Sequence, residues 1–204
     1  VIGILDYGVG NLKAFANVLK DLNFRNQIVK TEQELKSCTK IIMPGVGSFD
    51  SVMDKLSESG IRDVLSDLVM SKKIPVLGVC VGMQILASSS EEGTKSGLGW
   101  IQGKVKKFNF DQSNSLLTVP QIGWNEVTSI RDNKLLLNLE KNPRFYFLHS
   151  YYMECEEDND VIAFADYGGN FTCAVNRDNI FGTQFHPEKS HHNGVALLRN
   201  FASL

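Results

Sequence analysis

The chain has 204 residues, 43% of them apolar, and a formal net charge of -2. That length supports one domain with its own core, and the slightly acidic balance argues against a nucleic-acid or anionic-membrane partner. Cysteines 38, 80, 155 and 173 lie far apart with no CxxC pair, which fits free thiols in a reducing compartment better than a disulfide framework or a zinc site.

Residues 1–5 are continuously apolar, as in a parallel strand covered on both faces. The run meets Asp6 too soon for a signal peptide, and no later run approaches membrane-spanning length, so a cytoplasmic protein is expected. Residues 6–11 form a glycine-rich turn, after which Leu12, Phe15, Ala16, Leu19 and Leu22 recur at helical spacing. Gly8-x-Gly10 lacks the third glycine of a dinucleotide fingerprint, so the turn reads as structural or ligand-facing. A short strand is expected at 26–29, a short helix at 32–37 and a third strand at 40–43. That strand stops at Pro44-Gly45-Val46-Gly47-Ser48-Phe49, where two glycines flank Val46. Such a side-chain-poor segment is able to bring main-chain N–H groups to a ligand. Helices are expected at 50–57 and 61–70, their charges solvated.

Residues 74–84 hold the strongest local signal. A short apolar strand runs into Gly78-Val79-Cys80-Val81-Gly82, and a helix is expected from Gly82 to Leu86. Gly78-x-Cys80-x-Gly82 has the form of a nucleophile elbow with cysteine as nucleophile. The tight turn needs glycines, and the helix start offers N–H groups and its positive end to the sulfur. A buried structural cysteine is the plain alternative, and the local pattern leaves both open.

Residues 88–99, rich in serine, glycine and charge, read as a surface loop. Strands follow at 104–108 and 122–127 in a more antiparallel region, with Lys104, Lys106 and Lys107 on a solvated face. A helical turn is expected at 135–139, and one aromatic-rich strand at 144–152. Strands at 161–165 and 171–175 flank Gly168-Gly169 as a hairpin, and a second hairpin through 176–179 leads to a strand at 180–183. Residues 195–201 have helical spacing.

Gln184-Phe185-His186-Pro187-Glu188 follows that last strand. His186 and Glu188 are two apart, so in extended backbone their side chains point the same way, and Pro187 biases His186 away from helix. The pair suits a base with its orienting carboxylate. His149, also at a strand end, competes as the base. A metal site from His186, Glu188, His191 and His192 has no recognised ligand spacing, and no metal is expected.

Taken together, these residues resemble the class I glutamine amidotransferases, and among them the glutaminase subunits of imidazole glycerol phosphate synthase. The family motifs are Gly78-Val79-Cys80-Val81-Gly82-Met83-Gln84 and Phe185-His186-Pro187-Glu188. The subunit motifs are Asp6-Tyr7-Gly8-Val9-Gly10-Asn11-Leu12, Pro44-Gly45-Val46-Gly47, Pro120-Gln121-Ile122-Gly123-Trp124-Asn125, His149-Ser150-Tyr151 and Lys189-Ser190. Val81 stands where relatives often carry leucine or another apolar residue, at a position where the resemblance implies a role for the backbone N–H alone. The resemblance implies an α/β, flavodoxin-like fold over residues 1–204, with a central, mostly parallel sheet, flanking helices and an antiparallel extension.

It also implies hydrolysis of glutamine to glutamate and ammonia, with Cys80 as nucleophile, His186 as base and Glu188 as its orienter. The N–H groups of Val81 and Val46 would hold the oxyanion. Gly45, Gly47, Gln84, His149, Ser150 and Tyr151 would place the substrate. The implied partner is the cyclase subunit, a (β/α)8 barrel that takes the ammonia, with Asn11, Gln121, Trp124 and Lys189 facing it and Tyr151 a further candidate. No cofactor is implied. A related glutaminase feeding another synthase, a catalytically silent regulatory subunit and a serine hydrolase of related fold are the alternatives.

Overall fold

The computed structural model describes residues 1–110 and 117–204. The chain runs β1 (Ile2–Leu5), α1 (Leu12–Asp21), β2 (Asn26–Val29), α2 (Glu32–Lys36), β3 (Lys40–Gly45), α3 (Phe49–Glu58), α4 (Arg62–Ser66), β4 (Val76–Cys80) and α5 (Val81–Gln84). The second half adds β5 (Ser89–Ser90), β6 (Gly103–Lys107), β7 (Gln121–Glu126), β8 (Thr128–Ser129), β9 (Arg144–His149), β10 (Tyr151–Cys155), β11 (Val161–Asp166), β12 (Asn170–Arg177), β13 (Ile180–Thr183) and α6 (His191–Ala202).

One sheet has the order β2-β1-β3-β4-β13-β12-β11-β8. From β2 to β13 the neighbours are parallel, and β12, β11 and β8 extend it antiparallel. This is the expected sheet, and burial explains its parallel half. Every residue of β1, β4 and β13 is buried, so these strands are covered on both faces. Helices supply the cover through apolar stripes such as Phe15 and Leu19 of α1, and Leu197, Leu198 and Phe201 of α6. Two small sheets, β10-β6-β5 and β7-β9, stand beside the main one.

The structure corrects several boundaries. Residues 144–152 are two strands that part at Ser150, because β9 pairs with β7 while β10 pairs with β6. The third strand continues through Pro44 and Gly45, which pair with Val79 and Cys80. The helix expected at 61–70 is α4 followed by a wider helical turn over Asp67–Ser71. A single tight turn over Lys134–Leu136 replaces the one expected at 135–139. The first glycine-rich turn proves to be structural support. Tyr7 O–H donates to the Pro44 carbonyl. Gly10, at φ +93°, packs so close to Pro44 that a Cβ there would lie 2.4 Å from the proline ring.

Candidate active site

β4 ends at Cys80 in a sharp bend, with φ +56° and ψ -114°, a region that side chains rarely adopt. The bend is held by backbone-to-backbone packing. A Cβ on Gly82 would lie 2.0 Å from the Met43 carbonyl oxygen, and one on Gly45 would lie 2.0 Å from the Gly82 nitrogen. One on Gly78 would lie 2.4 Å from the Gly82 oxygen. The end of β3 and the elbow therefore interlock, which sets Val46 and Gly47 beside the cysteine. α5 starts at Val81, so the Val81 N–H has no intrahelical acceptor and is free for another group.

The histidine comes from the neighbouring strand. β13 runs parallel to β4, with Thr183 opposite Val79, so both chains leave the same end of the sheet. His186 N–H donates to the Tyr146 carbonyl at 2.9 Å. Ser190 Oγ accepts from Tyr146 N–H at 3.0 Å and donates to the His186 carbonyl, fastening the segment to β9. Pro187–Lys189 is one turn of tight helix. The expected extended backbone is thus corrected. The turn brings Glu188 Oε1 to 2.9 Å from His186 Nδ1. α6 packs directly on the turn, since a Cβ on Gly194 would lie 1.8 Å from the Pro187 oxygen.

Burial by itself pushes the His186 imidazole down. Hydrogen bonds that the ring donates to Cys80 and Glu188, and its Coulombic interaction with both, outweigh it and raise the ring to about 10. The ring is therefore an imidazolium at neutral pH. Because its folded value exceeds the ordinary 6.5, this proton stabilises the fold fully below about pH 6.5 and ceases to do so as pH rises through 10. Removing the carboxylate charge in Glu188→Gln is expected to cost stability most below pH 6.5 and least near pH 10, read from urea midpoints across pH. The rate of reaction at the Cys80 sulfur should fall about ten- to a hundredfold. A pH-independent stability difference would contradict the pairing.

His149 is corrected as a candidate base. It is buried, which pulls its imidazole down to about 4, and the positive His186 adds to the effect against the Tyr151 carbonyl. Its Nδ1 lies 2.8 Å from the Tyr151 carbonyl and its Nε2 lies 2.8 Å from the Gln121 side chain. Both nitrogens are engaged. Nδ1 faces the Tyr151 carbonyl and Nε2 faces Gln121 Oε1; a neutral ring donates from Nδ1 and accepts from Gln121 only with that amide turned over.

A cavity of about 270 Å³ opens over the sulfur. Cys80, Val81, Gln84, His186, Val46 and Gly47 line it, as do His149, Ser150 and Tyr151. Gly45 lies beneath, against the elbow. Lys189, expected only at a partner face, also lines the cavity. The sequence reading missed Glu92, Pro120 and Leu148. Glu92 sits in the supposed surface loop, which the structure anchors by two acidic groups. Glu92 Oε2 accepts from Phe49 N–H at 2.8 Å, and Asp50 accepts from the N–H groups of Thr94 and Lys95. No sequence signal separates Glu92 from Glu91 beside it.

Of the partner-face candidates, Asn11, Gln121 and Trp124 lie outside the cavity. Asn11 and Trp124 are exposed, while Lys189, in the cavity wall, has its Nζ 5.7 Å from the Tyr146 ring. Gln121 is corrected as a partner-facing side chain, because it is 3% exposed and spent on His149. His191 stacks on Trp124 and His192 pairs with Glu140, so the imagined four-residue metal set disperses. Among the described residues no group of three or more His, Cys, Asp or Glu is placed to hold a metal, and no helix is long and apolar enough to cross a membrane.

Comparison with known proteins matches residues 3–203 to the family "Glutamine amidotransferase class-I". The chain is 82% identical to imidazole glycerol phosphate synthase subunit HisH of Leptospira borgpetersenii, over 100% of both chains. It is 48% identical to the subunit of that name from Bdellovibrio bacteriovorus, again over 100% of both. Among solved structures, a glutamine amidotransferase superposes with a TM-score of 0.76 at 18% identity, over 100% of both chains. PurLQS from Thermotoga maritima superposes with a TM-score of 0.73 at 18% identity, over 99% of this chain and 97% of that one. At such identities these two likenesses concern the fold alone.

Proposed function

The chain belongs to the class I glutamine amidotransferases, and from that premise we propose that it is the glutaminase subunit of an imidazole glycerol phosphate synthase of histidine biosynthesis. The observation that carries the chemistry is the line from Cys80 through His186 to Glu188 at the floor of the cavity. Cys80 attacks the side-chain amide carbon of glutamine. The oxyanion that forms is held by the N–H groups of Val81 and Val46. His186 gives its proton to the departing nitrogen, the C–N bond breaks, and ammonia leaves a thioester on Cys80. His186 then takes a proton from water, which attacks the thioester. Glutamate is released and the sulfur regains its electron pair. Glu188 holds the ring on Nδ1 throughout. Glu92 supplies a negative charge for the substrate ammonium, and Gln84, Ser150 and Tyr151 position the rest of the amino acid.

Ammonia must then leave toward a partner, the cyclase subunit. The mouth of the cavity suits one. Val46 and Leu148 are 53% and 40% exposed and line it. Ile122, directly across the β7–β9 ribbon from Leu148, is 62% exposed, and Trp124 follows two residues on. Such an apolar rim around a polar site fits a surface that another protein covers. We place the partner's barrel over this rim, against Asn11, Trp124 and Lys189. A nucleophilic thiol among free cysteines suits the reducing cytoplasm.

The Val46 N–H is the less secured oxyanion donor. Gly47 has φ +114° and nothing within 4 Å of where a Cβ would stand, so the segment is free to turn a peptide. Glutamate release is therefore expected to be slow alone and to rise about a hundredfold with the liganded cyclase subunit, the size of one oxyanion donor. Equal rates with and without it would refute the coupling.

A further inference from the structure

Gln184 is fully buried beside the nucleophile, and the reaction above gives it no part. Its orientation follows from its neighbours. The Tyr151 carbonyl can only accept, and it lies 3.0 Å from Gln84 Nε2 and 2.8 Å from His149 Nδ1. Gln84 therefore turns its NH2 to that side. The second N–H of Gln84 goes to Gln184 Oε1 at 3.1 Å. With its oxygen committed there, Gln184 directs its own NH2 at Cys80 Sγ, 3.7 Å away. Flipping either amide would set oxygen against oxygen or N–H against N–H.

We propose that Gln184 is a catalytic residue of this site, a fixed hydrogen-bond donor to the reacting sulfur that favours it as thiolate. The inference rests on the glutaminase reading. A donor that cannot become an acceptor favours the states in which sulfur carries negative charge. The neutral thiol has another outlet, because Sγ–H can donate to the Leu148 carbonyl at 3.8 Å. That carbonyl repels a thiolate, and Gln184 together with His186 offsets the repulsion. The bond weakens in the thioester, whose sulfur is a poor acceptor. It returns as water adds, the C–S bond breaks and its electron pair goes back to sulfur. The interaction thus changes along the reaction, as a rate-enhancing contact must.

The titratable groups around the sulfur are His186 with Glu188 behind it, His149, and Glu92, Tyr151 and Lys189 in the cavity wall. Two variants, each assembled with the cyclase subunit, isolate the Gln184 contribution. Gln184→Met removes the amide at similar length. Gln184→Glu keeps an acceptor for Gln84 and deletes the donor to sulfur. Both should lower kcat for glutamine about tenfold or more, the size of a hydrogen bond to a charged group. KM in Gln184→Glu should stay within about threefold. The pH profile of Cys80 alkylation by iodoacetamide should move to higher pH in both, while synthesis driven by free ammonia continues at the wild-type rate. An unmoved alkylation profile or a wild-type kcat in either variant overturns the proposal. Loss of ammonia-driven synthesis in both also overturns it, because that marks a packing role. Alkylation of the wild-type thiol is measured without glutamine, so failure of the glutaminase reading would be seen separately.

Discussion

Replacing Cys80 by alanine is expected to lower glutamine hydrolysis by at least about 10⁴-fold while leaving ammonia-driven synthesis by the complex intact. The first half follows from covalent chemistry, since among the described residues that line the cavity Cys80 is the nucleophile with a base against it. Among the other three cysteines, Cys38 and Cys173 are buried in the core, and burial raises Cys155 to about 12. The second half follows from the size of the change. Cysteine to alanine removes one buried atom and none of the glycine contacts that shape the elbow. Glutamate release and product formation from ammonium salt, measured on the same preparation, separate the two. Loss of both activities would make Cys80 structural.

Gly82→Ala is expected to cost at least about 3 kcal/mol of stability and to abolish glutaminase activity with it. The added methyl would stand 2.0 Å from the Met43 carbonyl oxygen. That oxygen belongs to the backbone of β3, flanked in the sheet by β1 and β4, and has no side-chain freedom to give way. Relief would require parting β3 from the elbow, which moves Gly45 and the Val46 segment away from Cys80. Gly47→Ala is the useful contrast, because nothing lies within 4 Å of the added atom and only its φ of +114° opposes it. Urea midpoints and glutamate release for the two variants test this. A Gly82→Ala protein within about 1 kcal/mol of wild type would show that the interlock is not needed.

Much of the frame was legible because its signals are local. Strands β1 and β4 are apolar at nearly every position since both faces are covered, and that pattern needs no knowledge of the neighbours. The stretch at 144–152 was misread for the opposite reason. Its aromatics continue across Ser150, and the break exists only because β6 and β7 lie in different sheets. His186 and Glu188 were paired correctly on a wrong backbone, for the turn at Pro187–Lys189 is set by Ser190 and Gly194, which follow it. Glu92 and Gln184 gave no warning, because a glutamate in a polar loop and a glutamine beside a strand are commonplace until packing shows what they touch.

The sequence by itself determined the inventory of the chemistry: a cysteine between glycines at a strand end, a histidine with a carboxylate two residues on, and motifs specific enough to name a family. These depend on neighbours in the chain, which the sequence states outright. Only the tertiary structure decided which groups meet. Parallel pairing of β4 with β13 brings Cys80 to His186. Burial and two engaged nitrogens set His149 aside, and one acceptor-only carbonyl at Tyr151 orients Gln84, which in turn directs the Gln184 NH2 to the sulfur. Those outcomes come from contacts between distant segments, whose registers are fixed by packing that no local spacing encodes.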